Sequence, residues 1–182
     1  MKVDIYNTTK KYNIIYADPP WHYNVWKNGE GTAESHYSTM KIEEIIGMKD
    51  VINQIADKDC ILFLWVTFPC LIEGIRTIKE WGFKYKTCGF TWVKRNKVSN
   101  TWFFGLGHWT RANAEICLIA KKGTIKRQSN KVSQIVDTHL EKHSKKPAIV
   151  RDKIVELVGD LPRIELFARQ TVDGWDCWGN EV

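Results

Sequence analysis

The sequence lacks several features that would place a chain at once. No apolar run reaches about 18 residues, so no membrane-spanning helix is expected. None of the five cysteines, Cys60, Cys70, Cys88, Cys117 and Cys177, forms a Cys-x-x-Cys pair, and the number is odd. Neither a zinc site nor a disulfide framework is indicated, and no metal is expected. Cys60 and Cys117 stand in apolar runs and read as small core residues. No signal peptide, internal repeat, low-complexity tract or domain linker interrupts the chain. These absences lead to the expectation of one domain over residues 1–182, in a reducing cytoplasm and away from membranes.

What is present is a length of 182 residues, enough to bury a core without staples. Tryptophan is in excess, with nine copies, and such rings either fill a core or stack on a planar ligand. The net charge is +6, and much of it sits in one stretch. Lys121, Lys122, Lys126, Arg127, Lys131, Lys142, Lys145 and Lys146 face only Asp137 and Glu141. Such an excess suits a phosphate backbone, and the plain alternative is a solvated loop.

Apolar runs at 13–17, 60–66, 83–93, 115–120 and 163–168 read as strands. Helical spacing predicts helices over 41–56, 71–81 and 146–158, the last with Pro147 in its first turn. Residues 22–38 and 94–111 read as loops, and the basic stretch shows no periodicity. Strands alternating with helices predict a mainly parallel sheet covered on both faces. Ligands of such sheets bind beyond the carboxyl ends of the strands, where Asp18, Lys94 and Arg169 fall.

Asp18-Pro19-Pro20-Trp21 follows the first strand. The exocyclic nitrogen of adenine is a poor nucleophile because its lone pair is conjugated with the ring. A carboxylate accepting one N–H and a rigid backbone carbonyl accepting the other would favour its nucleophilic form. Asp18 and Pro19 offer those two acceptors, Pro20 adds rigidity, and Trp21 offers a ring for stacking on a flipped base. A strand-ending turn with a core Trp is the competing reading.

NIIYADPPW at 13–21 resembles the catalytic motif of the MT-A70 adenine-N6 methyltransferases. The resemblance extends through HYSTM (36–40), LFLWVT (62–67), FTWVK (90–94), GHWTRANAEICLIAKKG (107–123), HSKKP (143–147), RIELFARQ (163–170) and WGNEV (178–182). It implies an α/β fold, a Rossmann-like, circularly permuted class I methyltransferase sheet flanked by helices. It implies S-adenosyl-L-methionine as cofactor, held by Asp4, Ile5, Asp18, Lys146, Glu165, Phe167, Arg169, Asn180 and Glu181. Glu165, near a strand end, suits ribose hydroxyls, and Lys146 and Arg169 suit the cofactor's carboxylate or hydroxyls.

Tyr37, Lys94, His108, Trp109 and Arg111 interleave aromatic and basic character and are candidates for a nucleic-acid strand. Lys126, Arg127 and Lys131 are candidates for its phosphates. The short chain is similar to prokaryotic or phage members, which implies DNA as substrate, in a bacterial cell or a phage-infected host. RNA adenosine is the first alternative, and a catalytically silent nucleic-acid-binding subunit the second. A small-molecule methyltransferase, the third, would not need the basic stretch. No long N-terminal extension, zinc-finger pattern or target-recognition domain is expected. The resemblance leaves room for a homodimer or a partner subunit.

Overall fold

The computed structural model describes residues 1–22, 39–105, 107, 109–141 and 145–182. Its strands are β1 (Tyr12–Ala17), β2 (Ala56–Val66), β3 (Lys84–Arg95), β4 (Ala114–Lys122), β5 (Ile135–His139), β6 (Arg163–Leu166) and β7 (Asp176–Trp178). Its helices are α1 (Ile42–Gly47), α2 (Lys49–Ile55), α3 (Leu71–Glu80) and α4 (Ile149–Val158). The strands form one sheet in the order β5-β3-β4-β2-β1-β6-β7. β4 alone runs against the rest, since it pairs antiparallel with β2 and β3 while every other pairing is parallel. The mainly parallel α/β sheet flanked by helices is the architecture the sequence led us to expect.

Both faces are covered because β1 and β2 are apolar on both. Ile15, Ala17, Leu62, Leu64 and Val66 pack with Ile45, Ile52, Ile55 and Ile78 of α1, α2 and α3. Ile14, Tyr16, Ile61, Phe63 and Trp65 face the other way, onto Val150, Ile154 and Val158 of α4. Five tryptophans, Trp21, Trp65, Trp81, Trp92 and Trp175, are buried, so core filling accounts for most of the excess.

Three local expectations change. The helix over 41–56 is two helices meeting at Met48, which closes α1 and opens α2. Pro147 lies ahead of the α4 N-cap, Ala148, rather than in the first turn. The stretch without periodicity contains β5, an edge strand in which only Val136 is buried. The chain returns through β1, β6, β3 and β2 to one edge of the sheet, their carboxyl ends, which is called the site edge below.

Candidate active site

Asp18 is the first residue past β1. Its backbone N–H donates to the Leu166 carbonyl at 3.4 Å, which seats it between the ends of β1 and β6. The Trp21 N–H returns to the Pro19 carbonyl at 2.8 Å, a three-residue turn centred on Pro20. The locked φ of proline suits that tight turn. Pro20 is held in place, its carbonyl accepting the Met40 N–H at 2.8 Å. Trp21 is only 6% exposed, and its indole N–H donates to the Trp65 carbonyl at 2.8 Å. The ring is thus a fixed wall within the core, not the open stacking face anticipated from sequence.

The charged groups at this edge form a chain of alternating sign. Lys146 Nζ lies 2.8 Å from Asp18 Oδ2 and 3.2 Å from Glu115 Oε2. Glu115 Oε1 accepts from Lys94, whose ammonium also lies over the Trp92 ring. Burial pushes the Asp18 carboxyl up, opposed by Lys146, and the nearby Glu115 charge adds to the rise. Burial also pushes Glu115 upward, but Lys146 and Lys94 outweigh it and hold that carboxyl at about 2. For Lys146, burial disfavours the charge, yet Asp18 and Glu115 together raise its pKa. Sequence reasoning missed Glu115. Its signal was a lone acid at the head of an apolar strand, EICLIA, and its lysine partners stand far from it along the chain.

The residues expected to hold a cofactor mostly gather at the next turn. Phe167 follows β6 with φ 60°, a left-handed conformation that non-glycine residues adopt at a cost. The Ala168 N–H donates to the Trp178 carbonyl at 2.9 Å, drawing this turn against the segment after β7. Gly179 permits that approach, since a Cβ there would sit 2.3 Å from the Ala168 oxygen. Arg169 and Glu181 face each other at 3.5 Å, beside exposed Asn180. Asp4 and Ile5 arrive because the N-terminal segment pairs with Cys177. The Asp4 carboxylate is turned onto the Tyr6 N–H and the Asn7 amide, and Ile5 is fully buried. Tyr6, Trp178 and Phe167 meet edge to face, and a cleft of about 550 Å³ opens beside Tyr6 and Trp178, with Met40, Met48 and Val51 on its walls.

Glu165 differs from its expected role. It is 7% exposed, and Arg151 of α4 occupies both carboxylate oxygens, at 2.6 and 2.7 Å. In this arrangement its carboxylate joins β6 to α4 instead of facing a ribose.

The candidates for nucleic acid divide by position. Lys94 belongs to the charged chain, and Trp109 and Arg111 are exposed on the segment joining β3 to β4, at the site edge. Tyr37 and His108 lie outside the described residues. Lys126, Arg127 and Lys131 are exposed but far away. They follow the far end of β4, and the neighbouring Gln128 N–H donates to the Leu157 carbonyl near the end of α4. The structure does not bring them to Asp18. Among the described residues, no group of three His, Cys, Asp or Glu is placed to hold a metal ion.

The chain resembles known proteins over nearly its whole length. It is 38% identical to the type II methyltransferase M.MunI of Mycoplasma sp, covering 95% of this chain and 78% of that protein. It is 27% identical to the N(6)-adenosine-methyltransferase catalytic subunit METTL3 of Homo sapiens, covering 94% of this chain and 28% of that protein. It is also 27% identical to an N(6)-adenosine-methyltransferase MT-A70-like protein of Arabidopsis thaliana, of which it spans 25%. The MT-A70 family model matches residues 12–181, a span that starts with β1 and ends at the Arg169–Glu181 pair, and the chain therefore belongs to the MT-A70 family.

Proposed function

We propose that the chain transfers the methyl group of S-adenosyl-L-methionine to the exocyclic N6 amine of adenine in nucleic acid, with DNA as the polymer. The observation that carries this reading is Asp18, a carboxylate seated at a strand end beside a proline-fixed carbonyl, in a chain of this family. When bound, the cofactor supplies a methyl group on a positively charged sulfur, which asks for an in-line nucleophile and no covalent enzyme intermediate.

Asp18 accepts a hydrogen bond from one N6 N–H, and the second lone pair of the Pro19 carbonyl accepts one from the other. The two acceptors turn the nitrogen lone pair out of conjugation. As the new C–N bond forms, the nitrogen becomes positive and its proton acidic. The carboxylate is then in place to balance that charge and to take the proton. Lys146 fixes the carboxylate through Oδ2, leaving Oδ1 for the amine.

The turn residues suit this cofactor. Phe167 offers an aromatic face, Arg169 a cation, and Asn180 and Glu181 hydrogen-bonding groups, with Asp4 and Ile5 close by. Lys146 adds a second cation. Glu165 supports the same turn through Arg151.

DNA is favoured because the type II methyltransferase matches at higher identity and over most of its length. The relatives at 27% identity carry adenosine, the ribonucleoside, in their names, which keeps RNA as the second reading. A silent binding subunit would not need the Asp18–Lys146 pair. Among the described residues no helix is long and apolar enough to cross a membrane. All five cysteines are free, which suits a reducing cytoplasm.

The test is incubation with labelled S-adenosylmethionine and parallel DNA and RNA oligonucleotides, followed by nucleoside mass spectrometry. N6-methyldeoxyadenosine is expected, and label in RNA alone would reverse the choice of polymer. Asp18→Asn should lower kcat by about a hundredfold or more while S-adenosylhomocysteine still binds. Turnover near that of the wild type would remove Asp18 from the chemistry.

A further inference from the structure

We propose that Trp109 is a wedge that enters the base stack of a double-stranded nucleic acid and fills the gap left by the target adenine. This rests on the methyltransferase reading above and makes the substrate a duplex. A half-buried carboxylate set at a strand end and tied to Lys146 cannot reach an amine inside a stacked helix, so the base must come out. Leaving the stack sacrifices stacking on both neighbours, and a side chain inserted in the vacant place, best of all a planar one, recovers part of that loss.

The segment joining β3 to β4 is placed to do this. Both of its ends lie at the site edge, because β3 finishes there and antiparallel β4 begins there. Its base is closed by the Lys94 N–H on the Asn113 carbonyl at 2.9 Å. Two further rungs follow, Phe103 N–H on the Lys94 carbonyl at 2.9 Å and Gly105 N–H on the Ala112 carbonyl at 2.8 Å. Its two roots, Lys94 and Glu115, belong to the charged chain that reaches Asp18. The base of the arm is therefore fixed relative to the site.

The arm presents three open aromatic side chains. Trp102 is 42% exposed, Phe104 63% and Trp109 100%, whereas five other tryptophans are buried. The Arg95 guanidinium lies 4.2 Å from the Trp102 ring centroid and holds that ring in place. Trp109 is fully in water. Between Lys94 and Asn113 the chain carries no acidic residue; Lys94 and Arg95 are paired with Glu115 and Asp137, and Lys97 and Arg111 are exposed. Charge of one sign interleaved with open aromatic faces complements phosphates and bases, since every base has a face on which a ring can stack. The core of a protein–protein interface is instead depleted of charge.

The methylated adenine is first mapped by sequencing DNA treated with the enzyme and S-adenosylmethionine. DNA without methyladenine would defeat DNA as the polymer, and the wedge in a DNA duplex with it, while leaving methyl transfer to RNA to the parallel oligonucleotide assay. Duplexes carrying the mapped site are then offered with the adenine paired to thymine or mismatched with cytosine. Trp109→Ala should lower kcat/KM on the paired duplex by about tenfold or more. On the mismatched duplex, whose adenine is already loose, the loss should stay below about threefold. Trp109→Phe should keep most of the activity, and S-adenosylhomocysteine affinity should be unchanged in both variants. Equal loss on the two duplexes, or no loss, would overturn the wedge. So would a change of molecular mass in sedimentation on Trp109→Ala, which would make the arm an interface between protein copies.

Discussion

Glu115 shows how a single residue can set the chemistry of another it does not touch. It holds Lys94 with one oxygen and shares Lys146 with Asp18 through the other. In the proposed reaction Asp18 is ionised when it accepts the N–H and takes the proton, and burial places its pKa above the ordinary carboxylate value. Activity should therefore rise with pH through that elevated value. Glu115→Gln removes a like charge and leaves Lys146 to Asp18 alone. Both changes favour the ionised form, so the acid limb of kcat/KM should move to lower pH. A pH series on wild type and variant checks this, and an unmoved or raised limb would contradict it. DPPW pointed to Asp18 through consecutive residues, and the structure seats that residue at the end of β1 beside β6. Glu115 was not legible, since its meaning depends on two lysines that only the sheet brings near.

Elements were legible where burial dictates composition. β1, β2 and β4 are apolar runs because they lie inside the sheet, and the sequence pattern locates them within a few residues. β5 and β7 escaped. The first exposes alternate residues at an edge, and the second is three residues long. The break at Met48 escaped because α1 and α2 bury the same apolar spacing on the same face. The largest revision concerns the joint between β6 and α4. Glu165 and Arg151 are both buried and satisfy each other. Arg151→Met should destabilise the fold by about 3–5 kcal/mol, because it strands a buried carboxylate. The double variant Arg151→Met/Glu165→Leu should recover most of that loss in chemical denaturation. It also separates the two roles of Glu165. A stable double variant that binds S-adenosylhomocysteine like wild type confirms a joint between elements, whereas a stable one with much weaker binding restores the ribose contact.

Across the whole molecule, the position of the charge matters more than its sum. The expectation from sequence placed the phosphate contacts on Lys126, Arg127 and Lys131. β4, nine residues long, separates their end of the sheet from the site edge. At about 3.3 Å per residue, that is roughly 30 Å. At physiological salt the Debye length is about 8 Å, so charge at the far end contributes little field at Asp18. Lys97 and Arg111 sit instead on the arm at the site edge, both exposed. Neutralising these two to Gln should weaken nucleic-acid binding across all sequences and flatten the dependence of log affinity on log salt. The slope should change by about 0.9 for each phosphate that the protein no longer neutralises. The triple change Lys126→Gln, Arg127→Gln, Lys131→Gln should leave both affinity and slope as in wild type. Fluorescence anisotropy at several salt concentrations reads both quantities for each variant. A flattened slope in the triple variant, with an unchanged one in the Lys97 and Arg111 variant, would mean that the polymer runs along α4.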